Sequence, residues 1–271
     1  MDRSLSPATS LERIGDRSGS DRASWLHHNS ITDPFKTRLG QISHISQMTD
    51  DTPPTFTPAL GRSDLTSQYD KVIAVMTRER RWRARLLSAL CPQPAETIVD
   101  IGAGTGSMAI LIKQAVPDAR VVAIDPDPEV LAIAKAKAKS AEVEVEFINS
   151  MSTSTVDILG PGTSDKVISS LVLHQCSPEA KGSILANAFQ LLRQGGRLLI
   201  ADYGLQRTLL MDLLFRQVRA LDGYENTRPN KGGEIPAMIA AAGFAQVEEL
   251  NVTPTPTGSI SLYSAWKHVE K

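Results

Sequence analysis

The sequence is poor in cysteine, almost neutral in charge and free of long apolar runs. Its 271 residues include two cysteines, Cys91 and Cys176, with no C-x-x-C or Cys/His cluster, so neither a disulfide framework nor a metal site is indicated. No apolar run approaches the ~20 residues that span a bilayer, and we expect no membrane span. A formal net charge of -1 argues against non-specific electrostatic binding to nucleic acid. The default expectation is a reducing, cytoplasmic location, and no feature indicates an oligomeric state.

The chain divides by composition into a polar beginning and a regular remainder. Residues 1–60 are rich in Ser, Thr, Asp and Arg and have no sustained hydrophobic period, so we expect a disordered N-terminal extension, with Met48 as an alternative start. Residues 61–271 are expected to form one domain. That domain begins with a cap helix over residues 67–90, whose polar face carries several arginines that are typical of a solvated surface.

Apolar runs alternate with helical segments from residue 96 onward. Near-continuous apolar strands separated by helices predict a parallel sheet covered on both faces, and the last two strands predict an antiparallel hairpin. The predicted strands are Thr97–Ile101, Arg120–Ile124, Glu144–Ile148, Lys166–Leu173, Arg197–Tyr203, Gln246–Val252 and Ile260–Trp266. The predicted helices after the cap helix are Thr105–Ala115, Pro128–Ser140, Pro178–Leu192, Leu209–Leu221 and Ile235–Ala242, with a polar loop over Asp222–Gly233.

The most informative motif is a glycine turn between two acidic strand ends. The segment TIVDIGAGTG places Asp100 at the end of the first strand and alternating glycines after it, and VVAIDP places Asp125 at the end of the second strand. Glycine is needed where the backbone approaches a ligand closely or takes a positive φ. A carboxylate at the second strand tip is placed to accept hydrogen bonds from ribose hydroxyls. The motif predicts the nucleoside-binding half of a Rossmann-like sheet.

The spacing D-x-G-x-G-x-G resembles the first motif of class I S-adenosylmethionine (SAM) dependent methyltransferases. A dinucleotide fingerprint, G-x-G-x-x-G, would need glycine where this chain has Ser107. The resemblance, which runs from about Tyr69 to Lys267, implies a doubly wound, mostly parallel seven-stranded α/β sheet with an antiparallel C-terminal hairpin, and SAM as cofactor. It implies these cofactor-binding positions: Tyr69, Asp100, Gly102, Ala103, Gly104, Gly106, Asp125, Pro126, Asn149, Ser150, Met151, Ser170 and Leu171.

Each part of SAM is expected to meet a different strand tip. The glycine turn would cradle the methionine part, its carboxylate taking backbone N–H groups at the helix N-terminus, and Asp100 suits the ammonium group. Asp125 would take the ribose hydroxyls. Asn149 or Ser150 would hydrogen-bond the adenine, and Met151 would contact it or belong to the core.

The segment SSLVLHQ, Ser169–Gln175, resembles the corresponding strand tip of ubiquinone/menaquinone-biosynthesis-like small-molecule methyltransferases. His174 lies just beyond the strand, where cofactor and acceptor should meet, and is the candidate catalytic residue. A neutral imidazole accepts a proton from a hydroxyl, amine or thiol. The alternative is a structural or pocket-lining histidine, because many such enzymes rely on in-line positioning alone. Both interpretations stay open here.

Acceptor-binding residues are expected at the end of the fifth strand and in the substrate-side insertion, residues 204–234. The candidates are Asp202, Tyr203, Tyr224, Asn226 and Arg228. The sequence thus predicts a SAM-dependent methyltransferase that acts on an O, N, S or C centre of a small molecule by in-line displacement. Alternatives are a non-catalytic nucleotide- or SAM-binding module, an NAD(P)-dependent oxidoreductase, and an RNA or protein methyltransferase that uses the arginine-rich cap helix.

Overall fold

The computed structural model describes residues 76–268, and all statements on structure concern that part of the chain. The predicted extension, residues 1–60, and Tyr69 lie outside it. The strands are β1 Thr97–Ile101, β2 Arg120–Asp125, β3 Glu146–Asn149, β4 Ser164–Ser170, β5 Leu192–Tyr203, β6 Ala245–Thr255 and β7 Gly258–Trp266. The helices are α1 Glu79–Leu90, α2 Ser107–Ala115, α3 Pro128–Ser140, α4 Thr155–Leu159, α5 Pro178–Leu191, α6 Leu209–Asp222, α7 Tyr224–Gly232 and α8 Ile235–Ala241, with short 3₁₀ turns at Ser152–Ser154 and Leu173–Gln175.

One seven-stranded sheet runs through the described residues in the order β3-β2-β1-β4-β5-β7-β6. The first five strands pair in parallel. β7 runs antiparallel to both β5 and β6. The strand order reverses between β1 and β4, and this is the point where ligands bind in doubly wound sheets. The predicted fold class is therefore confirmed.

Alternating side chains place an apolar core on each face of the sheet. One core is formed by Ile98, Ala123 and Leu199 against helices α1, α2 and α6. The other is formed by Val99 and Val167 with their strand neighbours against α5 and α8. Burial on both faces explains why the strands are almost continuously apolar, and it leaves polar residues to gather at the strand ends.

The insertion after β5 differs from its predicted form. The segment Asp222–Gly233 was expected to be a loop because it is rich in Gly, Asn and Pro, but it contains helix α7. Thr227 and Asn230 of α7 are buried, so packing overrides the weak helix propensity of the segment. The sequence predicts one apolar face of α6 formed by Leu210, Leu214, Val218 and Leu221. Of these only Val218 is buried, together with Phe215, whereas Leu210 and Leu221 are exposed.

Smaller differences concern element ends. The cap helix was predicted from residue 67, and its described part is α1, which begins at Glu79. β4 ends at Ser170 rather than at the predicted Leu173, because Leu171 turns to φ 56° and a 3₁₀ turn follows. β5 starts at Leu192 rather than at the predicted Arg197, and its register with β4 is irregular near Ser164.

Candidate active site

The glycine turn follows β1 and opens at the carboxyl edge of the sheet. Gly102, Gly104 and Gly106 have φ values of 70°, 55° and 74°. A Cβ on Gly102 would lie 2.3 Å from Cγ2 of Val172, so this glycine permits close packing of the turn on the β4 tip. A Cβ on Gly104 would meet no atom of residues 76–268 within 4 Å. This side of Gly104 is therefore clear of the described residues, which suits close approach of a ligand.

Asp100 precedes this turn, and the described residues offer it no hydrogen-bond partner. Its side chain is fully buried, and among the described residues neither carboxylate oxygen has a hydrogen-bond partner. Burial raises the pKa of Asp100 to about 7, although the charge of Arg83 lowers it. A buried carboxylate without a partner is costly in a folded protein. It is therefore a site that a cationic or hydrogen-bonding ligand group would stabilise.

Asp125, at the tip of β2, is held by backbone donors on both sides. Its Oδ2 accepts from the Gly104 N–H at 2.8 Å, and its Oδ1 accepts from the Asp127 N–H at 3.0 Å. Burial raises the pKa of Asp125, while these hydrogen bonds lower it. The cap of helix α3 is Asp127, whose Oδ1 accepts from Glu129 and Val130 N–H groups. Asp125 therefore does not serve as the helix cap, and each of its oxygens keeps acceptor capacity for a ligand.

The tips of β2 and β3 are tied together by Asn149. Its side-chain amide donates to the backbone oxygens of Asp125 at 3.1 Å and Pro126 at 2.9 Å. The Ser150 N–H also donates to the Asp125 carbonyl, at 3.2 Å. Ser150 Oγ donates to the Met151 carbonyl at 3.1 Å. The expected adenine-binding segment therefore lies beside Asp125, and the hydrogen bonds of the Asn149 amide hold it there.

His174 lies between two carboxylates rather than free at the strand tip. Its Nδ1 is 2.8 Å from Asp202 Oδ1, and its Nε2 is 3.6 Å from Asp222 Oδ2. The ring is buried, with its centroid 4.9 Å from that of Tyr203 in an edge arrangement. Burial lowers the pKa of His174, but the two carboxylates outweigh burial, and the pKa is raised above its ordinary value. Burial in turn raises the pKa of Asp222, against the effect of His174.

Asp202 connects the β4 tip with the insertion. Its Oδ2 accepts from the N–H groups of Val172 at 3.0 Å and Leu173 at 2.7 Å. Its Oδ1 faces the His174 ring and accepts from the Asn230 amide at 3.3 Å. Asp202 is 1% exposed, so its contacts are with the protein. The geometry favours a positioning role over the direct acceptor contact predicted for it.

The other predicted acceptor residues lie at the end of β5 and in the insertion. Tyr203 is buried, and its hydroxyl lies 2.8 Å from Thr257 Oγ1. Asn226 donates to the Gln175 and Asp222 carbonyls. Tyr224 is 57% exposed, with the Arg219 guanidinium over its ring. Arg228 is exposed and forms ion pairs with Glu225 and Glu234.

Two residues of this region, Lys181 and Asp222, were not predicted from the sequence as site residues. Lys181 is fully buried, and its Nζ donates to the carbonyls of Cys176 and Asn226, each at 2.5 Å, which ties α7 to the β4 tip. Burial lowers the pKa of Lys181, against the charge of Asp202. Asp222 ends helix α6 beside His174. A lysine within a helix and an aspartate before a glycine carry no sequence signal for these contacts.

The family comparison agrees with this geometry. Residues 98–196 match the profile of a family described as a methyltransferase domain. The matched span runs from β1 into β5 and includes the glycine turn, Asp125 and His174. The chain is also 25% identical over 229 residues to a ubiquinone/menaquinone biosynthesis C-methyltransferase of Dinoroseobacter shibae, a match that covers 76% of this chain and 88% of that protein.

Solved structures share the fold at low sequence identity. A phosphoethanolamine N-methyltransferase 2 of Haemonchus contortus, solved with S-adenosyl-L-methionine, matches with a TM-score of 0.56 and 16% identity over 70% of this chain and 53% of that one. An O-methyltransferase family protein of Burkholderia thailandensis matches with a TM-score of 0.55 and 17% identity over 70% of this chain and 57% of that one. This chain therefore covers little more than half of the length of each of these two solved proteins. No helix among residues 76–268 has the length and apolarity that crossing a membrane requires.

Proposed function

We propose that this chain, a SAM-dependent methyltransferase of the class I fold, transfers the methyl group of SAM to a small-molecule acceptor held between the β4 tip and the insertion of helices α6 and α7. SAM supplies an electrophilic methyl group on a positively charged sulfur. The chain must bind it, orient an acceptor in line with it and exclude water.

The single observation that carries the cofactor assignment is the buried carboxylate of Asp100, just before the glycine turn, for which residues 76–268 supply no hydrogen-bond partner. A ligand ammonium would give Asp100 the partner that the described residues do not supply. Asp125, at the adjacent strand tip, would accept the ribose hydroxyls. Asn149, Ser150 and Met151 would flank the adenine, while Ser170 and Leu171 would border the sulfonium end.

Buried contacts between the β4 tip and α7 support a small-molecule acceptor. The buried side chains of Lys181, Asn230 and Asp202 form hydrogen bonds at this junction. Tyr203 and Asn226 are the predicted acceptor residues nearest to this junction. The matched relatives are named as C-, N- and O-methyltransferases, so their names do not decide whether the acceptor atom is O, N, S or C.

Two roles of His174 follow from its position between carboxylates. As a base, it would take a proton at Nε2 from an acidic acceptor while Asp202 holds the Nδ1 proton and the ring orientation. As a positioning residue, it would join the β4 tip to the end of α6 through Asp222. We propose the base role only for acceptors that lose a proton on methylation, because a neutral amine or a thiolate needs no base.

The arginine-rich cap helix gives little support to an RNA-binding alternative. Arg78 donates to the Pro254 carbonyl, Arg85 donates to Asn251 and Thr253, and Arg83 pairs with Glu79. These cations are therefore engaged within the chain. The first two attach α1 to β6, which is a structural use of the basic face.

Ligand binding and turnover test this function. S-adenosylhomocysteine should raise the melting temperature of the full chain by mass action, and NAD should not. Incubation with methyl-labelled SAM and a panel of small hydroxyl, amine, thiol and carbon-acid acceptors should then yield a labelled small product. Stabilisation by NAD alone would support the oxidoreductase alternative, and binding without any labelled product would support a non-catalytic module. Transfer to RNA or protein in preference to the panel would contradict the small-molecule assignment.

A further inference from the structure

The two carboxylates beside His174 have different surroundings. Asp202 is 1% exposed, and besides the ring it accepts hydrogen bonds from four N–H groups, which fills the acceptor capacity of a carboxylate. These donors are the backbone N–H groups of Val172, Leu173 and Tyr203 and the side-chain amide of Asn230. The contacts of Asp202 therefore account fully for its place in the fold.

Asp222 has no comparable partners. Its side chain is 24% exposed, and Nε2 of His174 lies 3.6 Å from its Oδ2, which is longer than a hydrogen bond. Within residues 76–268 no N–H or O–H group lies at hydrogen-bond distance from either carboxylate oxygen of Asp222. This carboxylate therefore keeps its acceptor capacity, and part of its surface is accessible.

The place of Asp222 is unfavourable for a negative charge. Helix α6 ends at this residue, and the free carbonyl groups at a helix C-terminus carry partial negative charge. Burial raises the pKa of Asp222, His174 lowers it, and the charge of Asp202 raises it again. Arg219, the basic residue in the last turn of α6, donates to Thr227 Oγ1 at 3.3 Å instead of pairing with Asp222. A charged group that costs stability where it stands is typical of a functional site.

Asn226 holds Asp222 in this place. Its side-chain amide donates to the Asp222 carbonyl at 2.9 Å and to the carbonyl of Gln175, the residue after His174, at 3.1 Å. Lys181 in turn fixes the Asn226 backbone, with its Nζ 2.5 Å from the Asn226 carbonyl oxygen. These contacts use the backbone of Asp222 and leave its carboxylate unused. The carboxylate is therefore positioned beside Nε2 of His174 before an acceptor arrives, so little ordering is required on binding.

We propose that Asp222 binds the methyl acceptor directly, accepting a hydrogen bond from an O–H or N–H group of the acceptor beside Nε2 of His174. This assignment rests on the proposed function and adds to it the residue that recognises the acceptor. An ionised carboxylate only accepts hydrogen bonds, so the acceptor must supply the donor. A hydroxyl or an amine meets this requirement. A thioether does not, and a carbon centre meets it only with an O–H or N–H group next to it.

The test separates direct contact from an indirect effect through His174. Asp222 contributes to the raised pKa of His174, so its replacement changes the protonation of the ring near neutral pH. Initial rates are therefore measured at alkaline pH, where His174 is neutral in every variant. The variants are Asp222→Asn, Asp222→Ala and Asp222→Glu. Glu225→Gln is the matched control, because Glu225 is an exposed carboxylate three residues further along the chain.

The probes are the hydroxyl compound and the amine compound of the acceptor panel that give the most labelled product. Each is paired with an analogue in which methyl groups replace the O–H or N–H hydrogens. Dissociation constants of probe and analogue are measured by calorimetry in the presence of S-adenosylhomocysteine, so that no turnover is needed. The two probes show separately whether a hydroxyl or an amine supplies the donor.

The wild-type chain should bind at least one probe more tightly than its methylated analogue, and Asp222→Ala should remove this preference. Asp222→Ala and Asp222→Asn should lower kcat/KM for that probe by about 10- to 100-fold at alkaline pH, because a hydrogen bond to a charged group is lost. Asp222→Glu should recover part of the loss. Affinity for S-adenosylhomocysteine should stay within about twofold in all variants, and Glu225→Gln should behave as the wild type. The Asp222 variants should keep or raise the melting temperature, because the carboxylate has no hydrogen bond within residues 76–268.

Three results would overturn the assignment. The first is a wild-type kcat/KM in Asp222→Ala at alkaline pH, which would limit Asp222 to its effect on the pKa of His174. The second is an equal loss of affinity for probe and methylated analogue, which would indicate a change in the shape of the site. The third is a lower melting temperature together with weaker binding of S-adenosylhomocysteine, which would indicate a structural role. Failure of the proposed function looks different, because the wild-type chain would then give no labelled product with any compound of the panel.

Discussion

Replacement of Gly102 by alanine should destabilise the fold much more than the same replacement of Gly104. Both residues have positive φ, so both changes carry a backbone cost of about 1–2 kcal/mol. At Gly102 the new methyl would also lie 2.3 Å from Cγ2 of Val172. Overpacking of this kind adds about 1–3 kcal/mol. We therefore expect a loss of about 2–5 kcal/mol for Gly102→Ala and about 1–2 kcal/mol for Gly104→Ala.

Urea unfolding of the two variants measures the difference directly, with the slope m compared to confirm that the unfolded state is unchanged. Val172→Ala provides the matched control, because it removes the two methyl groups that the new Cβ would meet. In a double-mutant cycle, Gly102→Ala and Val172→Ala together should be less harmful than the sum of the single changes, by about 1–3 kcal/mol.

The ligand response should have the opposite order. Because the Cβ of Gly104→Ala enters open space, its steric effect should fall on S-adenosylhomocysteine binding, which we expect to weaken about tenfold or more, equivalent to about 1.4 kcal/mol. Equal unfolding free energies for the two alanine variants, or additive effects with Val172→Ala, would refute the packing argument. Unchanged ligand affinity in Gly104→Ala would refute the proposed approach of the ligand to this turn.

Three further predictions concern the charged residues of the site. Asp125→Asn should lower S-adenosylhomocysteine affinity by about 1.5–3 kcal/mol, measured by calorimetry. It should also reduce the unfolding free energy, because Asp125 accepts hydrogen bonds from two backbone N–H groups. Unaltered affinity would exclude Asp125 from ribose binding. With its pKa at about 7, folded Asp100 is mostly protonated at pH 6, so binding an ammonium should release a proton there and affinity should rise with pH up to about 7. Calorimetry in two buffers of different ionisation enthalpy detects this proton, and Asp100→Asn should abolish it; no release in the wild type would contradict the contact. If His174 is a base, turnover of an acceptor that loses a proton should rise with pH through an apparent pKa above ~6.5, because Asp202 and Asp222 outweigh burial and Lys181 in raising the pKa of His174. Asp222→Asn should move this step in the pH profile to lower pH. A step that does not move would argue against the base role.

The fold and the gathering of Asp100, the glycine turn and Asp125 at one edge of the sheet could be predicted because their signals are local. Asp100, the alternating glycines and Asp125 each occupy the end of an apolar strand, and parallel strands bring their carboxyl ends to one edge of the sheet. Side chains at such positions need no long-range information to be placed near each other. The same reasoning placed Asn149 and Ser150 beside Asp125, as the structure has them.

The acceptor half depends on contacts between distant parts of the chain. Lys181 reaches α7 through Asn226, and Asp222 meets His174 across the site. Such pairs leave no spacing pattern in the sequence. Helix α7 itself was missed because Gly, Asn and Pro favour turns, whereas burial of Thr227 supplies the stabilisation that local propensity lacks. The predicted apolar face of α6 is correct at Val218 but omitted Phe215, the other buried residue of the helix.

The contacts of Asp202 imply a thermodynamic link between the two ligands of the enzyme. One of its oxygens fixes the backbone at Val172 and Leu173, and the other holds Asn230 of the insertion. An acceptor that shifts helix α7 would therefore also shift the strand tip against which Gly102 packs. By reciprocity, any factor by which the acceptor tightens cofactor binding is the factor by which the cofactor tightens acceptor binding. We therefore expect heterotropic cooperativity between acceptor and cofactor, with Asp202 as the residue whose replacement weakens the coupling.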